Sequence, residues 1–344
     1  MEERKRKYEI RKREDGMEAI FEVETGKRIS EWFDRIESYG LVYEMSDYYI
    51  AIKDGKEAIF HKDGRQISRW YDHICIEGLI NGESIYYLVR NRDKEAIFDV
   101  NGNQISKWYE KIISYVGLVK GQTEYYIARR YGKYAIFDKD GNQISKWYEE
   151  IEDEGLVRGD SIYYIASEDG KYAIFDKEGN QISKWYSMIN PDGLVKGESI
   201  YYIAEKRISA EGYKEAIFDM YGNQISKWHH QIYPYGLIEG TADYYIAGDL
   251  YSDRIFSSAD YYLSAVYYKD GQKVSKDFKI KSGFIEVDFH NGKVKVINDG
   301  KEEIIEFEIK KKEEILDYTK LLNIWNKNRE VRKNEVWNKR ERRW

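Results

Sequence analysis

Asp99, Asp138, Asp176 and Asp219 stand 39, 38 and 43 residues apart, each closing an Ala-Ile-Phe-Asp segment. Carboxylates serve general acid–base chemistry and cation binding. A serine recurs with them in Ile-Ser-Lys-Trp. A cation also precedes most of the tryptophans: Arg69, Lys107, Lys146, Lys184 and Lys227, with Glu31 in the first copy. Facing a common channel, those cations would hold an anion; on the rim they would be ordinary solvated side chains, which is the expectation. A nucleophile or an acid is needed once in an active site, whereas these groups return in every copy. Asp138, Asp140, Gly141 and Asn142 have the chemistry of a tight turn: the carboxylate bonds to backbone amides ahead of it and the glycine supplies a positive φ.

The remaining candidates for catalysis are few. The histidines are His61, His73, His229, His230 and His290. His229 and His230 are adjacent, so on a strand they would point to opposite faces. No His/Cys spacing fits zinc and no glycine loop fits a phosphate. No catalytic residue, metal or cofactor is expected, and the chain reads as a non-enzyme.

The elements that carry these residues form a repeat. Ala-Ile-Phe begins at Ala19, Ala58, Ala96, Ala135, Ala173 and Ala216, a diverged copy begins at Ala265, and a trace of an eighth lies at 294–305. Periods near 40 residues signal solenoids, propellers or arrays. Each unit reads as four short strands: "YYIA", "AIFD", "QISKWY" and "GLVKG", separated by Asp/Asn/Gly turns. "SIYYIA" and "AIF" are apolar on both alternating faces, as in strands covered on both sides. The expected fold is all-β, about seven four-stranded units of 38–39 residues, as a seven-bladed β-propeller. An open β-hairpin array or solenoid is the alternative, favoured by the extra half unit. The repeat domain spans 1–309, with units near 8–45, 46–83, 84–122, 123–160, 161–198, 199–241 and 242–290 and a partial unit at 291–309.

Residues 310–344 change period. Ile315, Tyr318, Leu322 and Trp325 follow helical spacing, so a short C-terminal helix is expected, followed by a basic stretch. Residues 1–13 hold seven Lys/Arg against three Glu, and 310–344 hold twelve against six. With a net charge of −6, the body between them carries −16. One cysteine, Cys75, excludes an internal disulfide, and the first residues lack the apolar run of a secretory signal. No stretch is apolar enough for a helical membrane span. A cytoplasmic protein without membrane contact is expected.

The unit "DGKYAIFDKEGNQISKWYSMI" (169–189) resembles the WG-containing repeat of many bacterial proteins. Gly170, Lys171, Ile174, Asp176, Gly179, Ile182 and Trp185/Tyr186 fall on its pattern. Tyr172-Ala173, or Glu-Ala in other units, replaces the Trp-Gly pair. The resemblance covers 8–290. It implies a repeat scaffold for interactions and brings no catalytic residues.

Function is then expected where the repeat is broken. Insertions at 205–214 and 248–264 bring Arg207, Tyr213, Tyr251, Arg254, Phe256 and Tyr261 to one rim, and Arg and Tyr are favoured interface anchors. Drift of terminal units is the competing reading. The tail offers Trp325, Arg329, Arg332, Lys333, Trp337, Arg340, Arg342, Arg343 and Trp344. The expected function is a scaffold that binds another protein through this rim and tail. Two alternatives stand beside it: nucleic-acid binding through the basic ends, and a glycan- or small-molecule-binding module on the tyrosine-rich rim.

Overall fold

A computed structural model describes residues 6–209, 212–251, 261–281 and 284–310. The C-terminal helix expected beyond Lys310 lies outside the described residues. The fold is all-β and of the β-propeller type: small antiparallel sheets follow one another along the chain, each packed on the next. Eight sheets occur among the described residues, the first with two strands. The eighth, built from Phe284–Asp288, Lys293–Asn298 and Lys301–Glu306, holds the partial unit.

The fourth sheet shows why this sequence makes this unit. Tyr125–Arg130 pairs with Lys133–Asp138 from Tyr125↔Asp138 to Arg130↔Lys133. Tyr131 and Gly132 close the hairpin with φ of 51° and 75°. Positive φ at both central residues gives a turn whose twist matches that of the strands. Three consecutive residues, Tyr126, Ile127 and Ala128, are buried, because both faces of the sheet are covered. Tyr126, Ala128, Ala135 and Phe137 pack back on Leu88 and Ile97 of the third sheet (His73–Ile74, Tyr86–Asn91, Lys94–Asp99). Ile127 and Ile136 pack forward on Tyr164, Ala166, Ala173 and Phe175 of the fifth (Glu150–Ile151, Tyr163–Glu168, Lys171–Asp176). The small alanines let the sheets approach, and the isoleucines fill the space above them.

Two segments differ from the expected four strands. "QISKWY" forms β-bridges with its neighbour only at its two ends, at Phe137↔Gln143 and Tyr134↔Tyr148 in the fourth unit. Between them Ser145 Oγ accepts the Ile136 N–H at 2.8 Å and donates to the Lys146 carbonyl at 2.9 Å. Six other serines repeat this clasp, from Ser30 to Ser275. "GLVKG" is not a strand. It is a turn, and at Gly117–Lys120 a single helical turn, that inserts Leu and Val between sheets. The remaining short strand is the dipeptide or tripeptide after Trp-Tyr, such as Lys111–Ile112, and it pairs into the following sheet. The chain therefore crosses to the next sheet before the turn.

The aromatics form a second register across the units. Tyr148 lies 5.2 Å from Phe175 and 6.3 Å from Trp185 of the next unit. Tyr71, Tyr109 and Tyr186 repeat the arrangement, and Phe33 opens it. Offset and edge-on aromatic pairs contribute about 0.5–1.5 kcal/mol beyond their buried area, so these five junctions are held by comparable clusters. Hydrogen bonds add to it: Ser84 Oγ donates to the Val119 carbonyl at 2.6 Å, and Thr123 Oγ1 to that of Val157 at 2.8 Å.

Candidate functional site: a cleft beside the extended hairpins

The recurring polar residues are occupied by the backbone. Asp138 Oδ1 accepts the N–H groups of Asp140 and Asn142 at 3.0 and 2.8 Å, and Oδ2 accepts the Asn142 amide. Asp99, Asp176 and Asp219 do the same, and Gly141 has φ of 80°. The turn chemistry expected of this series is what the structure uses. Arg69, Lys107, Lys146, Lys184 and Lys227 are exposed, as expected of solvated side chains. Cys75 is half-buried, and burial with the neighbouring Glu77 pushes its thiol up to about 11, far from an activated nucleophile.

Among the described residues, the insertions extend strands. They lengthen hairpins. The sixth sheet consists of Met188–Asn190, Tyr201–Ser209 and Gly212–Asp219, and the seventh of Gln231–Tyr233, Tyr244–Tyr251, Tyr261–Tyr268 and Phe278–Ile280. Their long strands have 8–9 residues against 6 in the second to fifth sheets. At about 3.3 Å per residue the extra pairs raise these hairpins by roughly 7–10 Å. Arg207 and Tyr213 are cross-strand partners, with the guanidinium 6.0 Å from the ring centre. Tyr251 and Tyr261 pair on the seventh sheet, where Lys279 sits over the Tyr261 ring at 4.5 Å. Ile208, Tyr213, Leu250 and Leu263 are exposed along the two hairpins, and Lys214 Nζ reaches Asp249 across them at 3.5 Å. The structure thus brings Arg207 to Tyr213 and Tyr251 to Tyr261 on adjacent hairpins. Arg254, Phe256 and every tail candidate from Trp325 to Trp344 lie outside the described residues.

Sequence reasoning missed a cleft of about 300 Å³ at the foot of the sixth hairpin. Met188, Ile189, Pro191, Ile203 and Tyr172 give it an apolar lining, and Glu152, Glu154, Glu205 and Glu215 surround it. Burial raises the carboxyl pKa of Glu152, Glu205 and Glu215. Acidic neighbours add to this for Glu152, and Glu205 adds to it for Glu215. The signal was present in the sequence only as scattered glutamates from two units, which no spacing rule collects.

The junction between the sixth and seventh sheets carries another departure. His229 takes the place of Tyr71, Tyr109, Tyr148 and Tyr186 in the aromatic register, against Tyr267 at 5.3 Å. It is 5% exposed and neither ring nitrogen has a hydrogen bond among the described residues. Its Nδ1 stands 3.3 Å from Asp249 Oδ2 without hydrogen-bond alignment, while His230 Nδ1 is 2.9 Å from Oδ1. The expectation that the two histidines diverge fails here, because they lie in an irregular segment and both approach Asp249. Burial holds the His229 pKa below the usual value, against the opposing pull of Asp249 and with Lys214 and Lys227 nearby. The unfolded chain then takes up this proton more readily than the folded one. Stability contributed by neutral His229 is present above about pH 6.5 and declines as the pH falls below it. His229→Tyr is expected to remove that part of the acid sensitivity and to raise stability at pH 5.5. Denaturation at pH 7.5 and 5.5 measures it, and an unchanged pH slope would contradict the assignment.

The chain matches no family model and no curated protein. Among solved structures it is similar to BamB from Moraxella catarrhalis, with 13% identity over 87% of this chain and 96% of that one and a TM-score of 0.25. It is similar to TolB from Acinetobacter baumannii, with 13% identity over 78% of each chain and a TM-score of 0.27. The WD40 domain of SCAP from fission yeast is 10% identical over 88% of this chain and 92% of its own, with a TM-score of 0.24.

Proposed function

We propose that the protein is a non-enzymatic repeat scaffold, with units of the WG type, that binds another protein along the face raised by the sixth and seventh hairpins. One observation carries this reading. The polar residues that recur are engaged in turns and clasps, while the departures from the repeat build projecting hairpins with exposed Ile208, Tyr213, Leu250 and Leu263 beside a cleft. Exposed apolar residues on projecting elements are a feature of interaction sites.

The nucleic-acid alternative draws on the basic ends, and the N-terminal end has partners of its own. Arg6 lies over Tyr43 at 4.8 Å, Arg11 over Phe21 at 4.6 Å and Arg13 over Trp32 at 4.8 Å. These contacts favour the protein partner. The test is capture from a lysate of the source organism with the full chain, with and without nuclease, at low and high salt. A second bait replaces residues 207–213 by Asp-Gly, which restores the short hairpin of the other units. Retention of a protein after nuclease and high salt, and its loss with the short hairpin, is the expected result. Recovery that depends on nucleic acid and collapses with salt would overturn it.

A further inference from the structure

The repeat supplies its own control for the cleft. The position of Glu215 is occupied by glutamate in three other units, and each of those glutamates faces a basic side chain of the chain. Glu18 faces Lys12 at 3.7 Å, Glu57 faces His73 at 3.2 Å, and Glu95 faces Lys111 at 3.4 Å and Arg90 at 3.7 Å. All four also accept the N–H of an isoleucine in the next short strand: Ile36, Ile74, Ile112 and Ile232. In the sixth unit both cationic positions are lost. The cross-strand partner that is Arg90 opposite Glu95 becomes Glu205 opposite Glu215, and the position of Lys111 becomes Gln231. Like charges directly opposite on a sheet are destabilising. Among the described residues, no ion pair reaches Glu205 or Glu215, and no hydrogen bond or ion pair reaches the side chains of Glu152 or Glu154.

We propose that this cleft binds a lysine or arginine side chain presented by a partly apolar segment of a partner protein. The inference rests on the scaffold reading above and names what the partner offers. The chemistry selects such a side chain on two counts. A cationic head placed near Glu205 and Glu215 supplies the charge that Arg90 supplies in the third sheet. The methylene stem lies along Ile189, Ile203, Pro191 and Met188, as long cationic side chains do on apolar surface. A volume of about 300 Å³ is at the lower end for ligand pockets, which suits one side chain with its neighbours rather than a whole element.

The test uses the full chain and two pools of nine-residue peptides with randomised flanks. One pool has a central lysine or arginine, the other norleucine. The cationic pool is expected to bind at least ten-fold tighter, and the advantage shrinks as salt rises. The informative variant is Glu205→Arg, which recreates the Arg90–Glu95 pair inside the protein. It is expected to keep or raise the melting temperature and to weaken the cationic pool at least ten-fold, so lost binding cannot be ascribed to misfolding. Equal binding of the two pools, or undiminished binding to Glu205→Arg, would overturn the proposal. A peptide covering 311–344 is added as competitor. If it displaces the pool at equimolar concentration, the occupant is this chain's own basic end and the assignment to a partner fails. Glu205→Arg that loses the peptides while still capturing a protein from lysate would separate the cleft from the scaffold reading. In that case the second stands and the cleft's part in it falls.

Discussion

Tyr148→Ala is expected to lower stability by about 3–5 kcal/mol, the usual cost of emptying a buried aromatic position, and to split the unfolding transition in two. Tyr148 is 4% exposed and leans on Phe175 and Trp185 of the following unit. Its main-chain N–H and C=O, bridged to Tyr134, stay in place, so the loss falls on the junction rather than on either sheet. In a repeat protein, stability is a sum of unit terms and nearest-neighbour interface terms, and cooperativity fails where one interface is weakened enough. Calorimetry should show two transitions. Hydrogen exchange should place residues 111–148 and 150–186 on different sides of the break. Tyr148→Phe keeps the ring and should leave one transition. A single transition in the alanine variant, shifted only slightly, would show that the aromatic register does not couple the units.

Gly155→Ala should be comparably harmful for a different reason. Gly155 has φ of 77°. A Cβ there would meet the Tyr163 carbonyl oxygen at 2.2 Å, Val195 Cγ1 at 2.9 Å and the Val195 carbonyl oxygen at 3.0 Å. A left-handed backbone at a non-glycine residue costs about 1–3 kcal/mol, and overpacking a filled site adds about 1–3 kcal/mol. Two of the three obstacles are main-chain atoms, which cannot rotate away. The same substitution at Gly170, where a Cβ meets nothing within 4 Å, is the control. It carries the backbone strain alone, with φ of 65°. Chemical denaturation of both proteins gives the difference. Equal losses would mean that the close approach at Gly155 relaxes without cost.

These expectations show which parts of the molecule the sequence made legible. The period, the two-residue hairpin turns and the burial of both strand faces follow from residue type and spacing alone, as does the turn role of Asp138. The "GLVKG" segment misleads because a run of β-branched and aliphatic residues serves equally in a strand or in a buried turn. What decides is Gly155, whose contact with the Tyr163 carbonyl only three dimensions reveal. The short strand after Trp-Tyr hides for the opposite reason: two residues carry no periodicity, and they pair with a strand still to come. The insertions were visible, yet their form was not, because "EKRIS" and "GYKEA" pair only once the hairpin register is known. The cleft is the least legible feature. Its carboxylates come from residues 152 to 215, and their unpaired state has meaning only beside Arg90 and Lys111 in an equivalent unit.

The central claim is that the recurring residues are architecture and that binding belongs to the departures from the repeat. The most direct measurement sets two variants against each other, each scored for unfolding free energy and for capture of a protein partner. Ser145→Ala removes the acceptor of the buried Ile136 N–H and should cost about 1–3 kcal/mol while capture persists. Replacing 207–213 by Asp-Gly should leave stability nearly unchanged and abolish capture. The opposite pattern, with partner binding lost from a stable Ser145→Ala protein and retained by the short-hairpin protein, would contradict the account.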